Sequence, residues 1–225
     1  MNILAIDTAA SLCAACVYDR DAQAESGRAV IDLGKGHAEH VMAVVGEALE
    51  KAGLGYDAIG AVAVSIGPGS FTGVRVGVAA ARGLALALKI PAIGVSTLEA
   101  LAAETKESFP GRSVLAALGR PEALAIMHLD AAGALLDGPR LAGEDEAVRI
   151  AQANRPVLAG EAAETLAARA DGSFDFGPRG ATADILFYAA VAAARPLRDK
   201  RPVPFYSRPP DAKPQSGFAL PLKGG

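Results

Sequence analysis

The stretch AIGAVAVSIGPGSFTGVRVGVAAARGLALALKI, residues 58–90, decides the fold. Its first nine residues are almost all apolar, which is typical of a strand buried in a sheet between two layers of helices. The turn GPGSFTG at 67–73 follows, and the apolar run after it predicts a helix over Phe71–Leu88. Gly73, Gly77 and Ala81 recur at every fourth position of that helix and form a smooth stripe. We expect a neighbouring helix or sheet to pack closely against this stripe.

The GPGSFTG turn has two interpretations. A glycine turn at a helix N-terminus can bind an anion, because bare amide groups and the helix dipole converge there. No Lys follows as in a P-loop, and the glycine spacing differs from that of dinucleotide-binding turns, so a purely structural turn is favoured. Either Ser70 or Thr72 can cap the helix. The residues assigned to this structural loop are Gly67, Pro68, Gly69, Ser70, Thr72, Gly73 and Arg75.

Composition indicates an ordinary globular α/β protein. The chain has 225 residues, 51% of them hydrophobic, and a formal net charge of −3. The longest uncharged stretch, 58–74, is interrupted by glycines and a proline, so we expect no membrane-spanning helix. The first residues, MNILAIDTAA, contain no basic leader before an apolar run, so we expect no signal peptide and a cytoplasmic location.

Cys13 and Cys16 form a CxxC pair within the apolar run LCAACVY. If that run is a strand, the two side chains point to opposite faces, whereas a disulfide needs side chains that converge. Redox CxxC pairs also begin a helix. We therefore predict two buried, reduced thiols, with a redox or metal pair as the alternative.

The first half predicts strands at 2–6, 12–18 and 23–31, a helix at 36–53, and then the strand, turn and helix quoted above. A strand at 92–95 and a helix at 98–106 complete it. Asp7 and Thr8 close the first strand, where they either hold a metal–nucleotide complex or form a local turn. The helix at 36–53 has two adjacent apolar faces, and therefore two neighbours. His37 and His40 on it are interpreted as surface residues, with a metal pair as the alternative.

The second half repeats this order of elements. Strands are predicted at 113–118, 123–129, 134–136 and 156–159, and helices at 145–153, 162–170 and 181–194. A strand meander followed by alternating helices and strands, occurring twice, predicts two stacked lobes with a cleft between them. We place the lobes at residues 1–108 and 109–225, the second lobe being smaller.

Four segments together resemble the TsaB family, the bacterial partners of TsaD in the synthesis of threonylcarbamoyladenosine in tRNA. They are IDTAAS at 6–11, HAEH at 37–40, GPGSFTGVRVGVAAARGLA at 67–85 and IPAIGVSTLEALA at 90–102. Beyond about residue 112 the resemblance rests on GEAA at 160–163 and PVPFYSR at 202–208. The resemblance implies the two-lobed fold of the actin, Hsp70 and sugar-kinase ATPases.

The resemblance also implies a site without catalytic groups. In TsaD two histidines after the corresponding Gly-Val hold a metal, and here those positions are Thr97 and Leu101. Neither a hydroxyl nor an aliphatic side chain replaces imidazole as a metal ligand. TsaB proteins often have Asp-Ala-Arg-Arg in the second lobe, where this chain has ALGR at 117–120. We therefore expect a pseudo-enzyme with no catalytic residue, cofactor or metal.

Such a subunit would bind a TsaD-like catalytic protein and enable threonylcarbamoyl transfer to a tRNA adenosine beside the anticodon. The resemblance implies contact through the helices at 36–53 and 71–88, a homodimer when the chain is alone, and a further complex with a TsaE-like ATPase. It implies contact with tRNA only within the complex and no contact with a membrane. The predicted interface residues are His37, His40, Val41, Val44, Ala48, Phe71, Val74, Gly77, Val78 and Ala81.

Two other classes of function remain as alternatives. A sugar-kinase-type phosphotransferase would need acidic and phosphate-binding residues in both lobes, and the second lobe has no convincing Asp-x-Gly loop. A metallopeptidase would need an HExxH motif or an equivalent cluster, and the three histidines are scattered.

The end of the chain is basic. From Arg195 onward there are seven Lys or Arg and two Asp, a net charge of +5, so the rest of the chain carries −8. Prolines between 202 and 210 predict an extended segment. We predict that Phe205 and Tyr206 pack on the body, while Arg201 and Arg208 face an acidic partner surface or the tRNA backbone.

Overall fold

The computed structural model describes residues 1–197 and 201–205. The first half forms a five-stranded sheet in the order β3-β2-β1-β4-β5, in which β1 pairs with β2 antiparallel and with β4 parallel. The strands are β1 (Asn2–Asp7), β2 (Leu12–Asp19), β3 (Ala24–Asp32), β4 (Ile59–Ser65) and β5 (Ala92–Val95), and the helices are α1 (His37–Ala52), α2 (Phe71–Leu88) and α3 (Thr97–Ser108). The predicted meander and the buried central strand are both confirmed.

The second half forms a four-stranded sheet in the order β8-β7-β6-β9. Its elements are β6 (Val114–Arg120), β7 (Ala123–Leu129), β8 (Leu135–Ala142), α4 (Glu144–Asn154), β9 (Val157–Ala159), α5 (Ala163–Arg169) and α6 (Ile185–Ala193). The order of elements repeats that of the first half, as predicted. The difference is that one short strand, β9, follows the meander here, whereas β4 and β5 follow it in the first half.

The main core lies between the two sheets and is filled by α3 and α6. It contains one face of the first sheet and one face of β6 and β7, so the two halves share it. A second cluster lies between the first sheet and the outer helices α1 and α2, and a third lies beneath α4 and α5. Helix α6 belongs to the second half by sequence, yet it packs mainly on the first sheet.

Two predicted boundaries are wrong. The last helix begins at Ile185 and not at 181, because the side chain of Asp184 accepts a hydrogen bond from Leu186 N–H and caps the helix. Strand β8 extends to Ala142, well beyond 136, because its polar residues pair with β7 at an exposed edge. Alternation of apolar residues does not reveal such a strand.

The two cysteines lie on opposite faces of β2, as predicted. Cys13 is buried under the outer helices and Cys16 is buried in the main core, and both are free thiols. Burial raises the pKa of the Cys13 thiol to about 11, and burial also raises the pKa of Cys16. Both thiols are therefore protonated and unreactive at neutral pH.

One described helix, α2, is long and apolar enough by composition alone to pass as a membrane span. In the fold it lies across the first sheet, with Arg75 and Arg82 exposed on its outer side. A single helix of this kind is weak evidence for a membrane.

Candidate functional site

The GPGSFTG turn is held by hydrogen bonds to two neighbouring segments. Ser70 N–H donates to the carbonyl of Ala9 (2.6 Å), and Thr97 N–H donates to the carbonyl of Gly67 (2.8 Å). The Ser70 hydroxyl accepts from Gly73 N–H (3.2 Å), which makes Ser70 the cap of α2, while Thr72 is exposed. These three amide groups are satisfied within the protein, as a structural turn requires.

The glycines allow a very close approach of this turn to the loop after β1. A Cβ atom on Gly73 would lie 2.0 Å from the carbonyl oxygen of Thr8, and one on Gly69 would lie 2.4 Å from that of Ala9. A Cβ atom on Gly77 would lie 2.5 Å from the Thr8 hydroxyl, which donates to the carbonyl of Gly73 (2.7 Å). The stripe of small residues on α2 therefore packs against the protein's own first strand and the loop that follows it.

This packing bears on the predicted interface, which stays a prediction. Most of the residues assigned to it are buried against the first sheet in the isolated chain: Val41, Val44, Ala48, Val74, Gly77, Val78 and Ala81. His37 is also buried, at 7% exposure, whereas His40 and Phe71 are exposed. The physical reason is that α1 and α2 each turn their more apolar side to the sheet.

The outward side of the same two helices carries small and apolar residues that the sequence prediction missed. It includes Met42 (45% exposed) and Ala43 on α1, and Ala79 and Gly83 on α2. No atom lies within 4 Å of a Cβ placed on Gly83, and the same is true of Gly46 on α1. Since α1 and α2 contact each other, these residues form one continuous surface, which we call the outer helix face.

Asp7 lies at the centre of a buried polar cluster between the two halves. It is 1% exposed, and its carboxylate accepts hydrogen bonds from Ala9 N–H (2.9 Å) and from the Thr182 hydroxyl (2.6 Å). Thr182 also lies 2.8 Å from the hydroxyl of Tyr188, which is fully buried on α6. Burial raises the pKa of Asp7 and raises that of Tyr188. A segment of the second half therefore occupies the space beside Asp7.

The start of α3 is built as a structural cap. The Ser96 hydroxyl accepts from Glu99 N–H (3.1 Å), and the Glu99 carboxylate accepts from Ser96 N–H (2.8 Å), a reciprocal capping box. Arg195 pairs with the same carboxylate. Thr97 and Leu101, at the positions where the resemblance places histidines in TsaD, are both fully buried in the main core. Neither side chain offers an imidazole nitrogen to a transition metal.

A family model described as "TsaD: tRNA N6-adenosine threonylcarbamoyltransferase" matches residues 32–200 of this chain. The chain belongs to the TsaD family. The resemblance to TsaB is confirmed by relatives of that name. "tRNA threonylcarbamoyladenosine biosynthesis protein TsaB" of Escherichia coli is 38% identical over 119 residues, 52% of this chain and 50% of the relative. The Haemophilus influenzae protein of that name is 33% identical over 118 residues, 52% of this chain and 49% of its own length.

A third relative carries the name of the transferase itself. The "tRNA N6-adenosine threonylcarbamoyltransferase" of Anaeromyxobacter is 38% identical over 129 residues, 49% of this chain and 39% of the relative. The chain spans about half the length, or less, of these curated relatives. TsaB-named and transferase-named proteins are therefore both similar to this TsaD-family chain.

Two solved structures have the same fold as this chain. A Pseudomonas aeruginosa protein described as similar to the peptidase YeaZ superposes with a TM-score of 0.72 at 24% identity, covering 92% of this chain and 99% of that one. YeaZ of the same organism gives a TM-score of 0.70 at 20% identity, covering 85% and 91%. The expected α/β fold with two sheets is thereby confirmed.

In the part of this TsaD-family chain that the structure describes, histidines and acidic residues do not gather into a metal centre. Residues 1–197 and 201–205 contain no group of three or more His, Cys, Asp or Glu side chains placed to hold an ion. His37 and His40 lie on α1, and His128 is buried in the second sheet. In the second half, Gly119 N–H donates to the Glu161 carboxylate (3.0 Å) beside the segment 117–120.

Residues 201–205 lie along the first half of the molecule. Phe205 N–H donates to the carbonyl of Ile66 (2.7 Å), and the half-buried Phe205 packs against the main core. Pro202 is buried, with its Cβ 3.2 Å from the position that a Cβ on Gly94 would take. Arg201 is exposed. Tyr206 and Arg208 lie outside the described residues, and the predicted contacts of these two residues and of Arg201 with a partner or tRNA stay predictions.

Replacing Asp7 by asparagine is expected to stabilise the protein at neutral pH. Asparagine keeps the acceptor for Ala9 N–H, and its amide can donate to Thr182, so the cluster is preserved without a buried charge. Burial raises the pKa of Asp7 above its unfolded value, near 4. The stability that Asp7 contributes is therefore full below pH 4 and is lost as the pH rises through the folded pKa.

Thermal unfolding of the wild type and of Asp7→Asn at several pH values between 4 and 8 measures this effect. The melting temperature of the variant should exceed that of the wild type by a margin that widens as the pH rises. A variant that melts lower than the wild type at pH 7 would show that the ionised carboxylate stabilises the fold.

Proposed function

We propose that this protein is a non-catalytic subunit that binds a TsaD-like protein and enables threonylcarbamoyl transfer to a tRNA adenosine beside the anticodon. The observation that carries the proposal is the position of Thr97 and Leu101. Both are fully buried in the packed interior, at the positions where the resemblance to TsaD implies metal-binding histidines. A role in tRNA threonylcarbamoyladenosine synthesis accords with the names of the TsaB relatives.

The buried polar cluster supports the same conclusion. In the two-lobed fold a nucleotide would be expected beside the Asp that closes the first strand. Here the Asp7 carboxylate is occupied by Ala9 N–H and by Thr182 from the second half. Its raised pKa also disfavours the ionised form that a divalent cation requires.

The outer helix face is the proposed site of contact with the TsaD-like subunit. It combines exposed apolar residues such as Met42 with small residues, Ala79 and Gly83, over which another helix can approach closely. Its edges carry charges of both signs, including Glu39 on α1 and Arg82 on α2. An apolar centre with a polar rim is the usual anatomy of a stable interface.

We further propose that the isolated chain dimerises through this face, that a TsaE-like ATPase joins the complex, and that tRNA is contacted only within it. The protein would act in the cytoplasm, without a membrane. Dimerisation and binding of the TsaD-like subunit use one surface and therefore compete.

Co-purification tests the proposal. The chain and the TsaD-like protein of the same organism are mixed and separated by gel filtration with light-scattering detection. A complex of one of each, formed at the expense of the homodimer, is the expected result. Separate elution of the two proteins at micromolar concentrations would contradict the proposed role.

Nucleotide binding is expected to be weak. With Asp7 internally bonded and no histidine at 97 or 101, ATP with Mg²⁺ should bind the isolated chain no more tightly than about 1 mM, which corresponds to about −4 kcal/mol. Isothermal titration calorimetry measures this affinity directly. Micromolar binding, abolished by a bulky substitution of Thr182, would instead favour a phosphotransferase.

A further inference from the structure

A cavity of about 630 Å³ lies beside the edge strand β5, between the last two turns of α2 and the C-terminal segment. Its apolar lining includes Ala85, Ile90, Leu197 and Pro202. The cavity also reaches Ala92, which pairs with Val62 towards the amino ends of the parallel strands. Asp7 and the GPGSFTG turn lie at the carboxyl ends, so this cavity is separate from the site described above.

Three cations surround the apolar lining. Arg82 lies in the last part of α2 and Lys89 directly follows the last residue of that helix, while Arg201 comes from the C-terminal segment. All three are exposed, and no Asp or Glu is among the described residues that line the cavity. Within residues 1–197 and 201–205 none of the three forms an ion pair, whereas Arg112, Arg140, Arg169 and Arg179 all do.

The end of α2 opposes an anion less strongly than an uncapped helix end would. The carbonyl oxygens of Ala85 and Leu86 accept hydrogen bonds from Ile90 N–H (3.0 Å) and Lys89 N–H (3.4 Å). These bonds satisfy carbonyl groups that otherwise concentrate the negative end of the helix dipole. In a chain with a net charge of −3, three cations that form no ion pair with another described residue make the surroundings of this cavity locally positive.

We propose that this cavity binds an amphipathic organic anion, a ligand with an apolar body and one carboxylate or phosphate group. Its volume lies within the range of about 300–1,000 Å³ that small-molecule sites occupy. The apolar body would lie on Ala85, Ile90 and Leu197, with the anionic group at the three cations. This inference goes beyond the proposed function and does not depend on it.

The fluorescent anion 1-anilinonaphthalene-8-sulfonate is a suitable probe for the full chain, because it joins two aromatic groups to one charge. We expect one binding site per chain, and weaker binding of the neutral analogue N-phenyl-1-naphthylamine. Raising the salt concentration from about 20 to 300 mM should weaken binding of the anion and not of the neutral analogue, since exposed charges are screened. No saturable binding of the anion would overturn the proposal.

A matched pair of variants tests whether the probe binds in this cavity. Leu86 is 82% exposed at the rim, so both Leu86→Glu and Leu86→Gln should fold normally. The two differ in one charge, and Leu86→Glu should bind the anionic probe about fivefold more weakly than Leu86→Gln. Lys89→Gln should weaken it about threefold, while Lys35→Gln, an exposed lysine far along the chain, should not. Equal affinities of the two Leu86 variants would overturn the proposal.

Displacement of the probe by competing anions then identifies which anionic group the cavity prefers. Phenyl phosphate and benzoate have the same apolar ring and differ in the group that it carries. Displacement of the probe by one of them identifies the class of ligand as a phosphate ester or a carboxylate. Aniline is a neutral aromatic competitor. If neither anion displaces the probe at about 10 mM whereas aniline does, the cavity has no preference for an anion and the proposal is wrong.

Discussion

Gly73→Ala is expected to lower the free energy of unfolding by about 3 kcal/mol, whereas Gly83→Ala in the same helix is expected to raise it. A Cβ at position 73 would lie 2.0 Å from the carbonyl oxygen of Thr8, so the backbone of the loop or of α2 must move. The Thr8 hydroxyl would also lose its bond to the Gly73 carbonyl (2.7 Å). Nothing lies within 4 Å of a Cβ at position 83, so alanine there gains about 0.5–1 kcal/mol of helix propensity.

Urea unfolding monitored by circular dichroism measures both changes. The two variants add the same methyl group to one helix, and the comparison therefore isolates the contact with Thr8. A Gly73→Ala protein as stable as the wild type would show that the GPGSFTG turn does not hold the loop after β1.

Ala79→Glu is expected to weaken binding to the TsaD-like subunit about 30-fold or more, without changing the fold. Ala79 is exposed at the middle of the outer helix face, and an interface between close-packed helices accommodates neither the added volume nor an unpaired charge. Ala153→Glu is the matched control, because it places the same charge at an exposed alanine of α4 in the other lobe. Surface plasmon resonance measures both affinities.

Val44→Asp helps to distinguish the outer helix face from the interface residues predicted from the sequence. Val44 is 6% exposed and packs in the cluster beneath α1. An aspartate there should therefore unfold the protein, and partner binding would be lost because the protein is unfolded. Loss of binding by Ala79→Glu with unchanged circular dichroism is therefore the informative result. Unchanged affinity of Ala79→Glu, or a folded Val44→Asp protein that fails to bind, would contradict the outer helix face as the contact site. Either result would favour the interface residues predicted from the sequence.

Local signals in the sequence were sufficient for most of the fold. The apolar run at 59–65 predicts a central strand because a strand between two helical layers has no polar face, and β4 is such a strand. The CxxC pair was resolved by the two-residue period of a strand, which places Cys13 and Cys16 in different cores. Strand β8 was predicted too short because its exposed edge carries no apolar alternation.

The neighbour of each helix face could not be predicted from the sequence, because periodicity does not identify a neighbour. A stripe such as Gly73, Gly77 and Ala81 allows close packing equally against another helix and against a sheet. The actual signal for an outward surface was weaker. That signal consists of two small residues, Gly46 on α1 and Gly83 on α2, which lie opposite the more apolar side of each helix.

The polar cluster at Asp7 depends on a contact between residues far apart in the chain. Thr182 lies 175 positions from Asp7, and no local pattern indicates that the two meet. The sequence nevertheless contained one indication. Helix α6, ILFYAAVAA, is apolar on all sides, which predicts burial between layers and brings the segment before it to the centre of the molecule.

Reconstituted transfer of the threonylcarbamoyl group to tRNA tests the central claim most directly. The acceptor tRNA and threonylcarbamoyl adenylate are incubated with this chain alone, with the TsaD-like protein alone, and with both, and the modified nucleoside is measured by mass spectrometry. A subunit that enables catalysis without performing it predicts product with both proteins, little with the TsaD-like protein alone and none with this chain alone. Product formed by this chain alone, or full activity of the TsaD-like protein without it, would contradict the account.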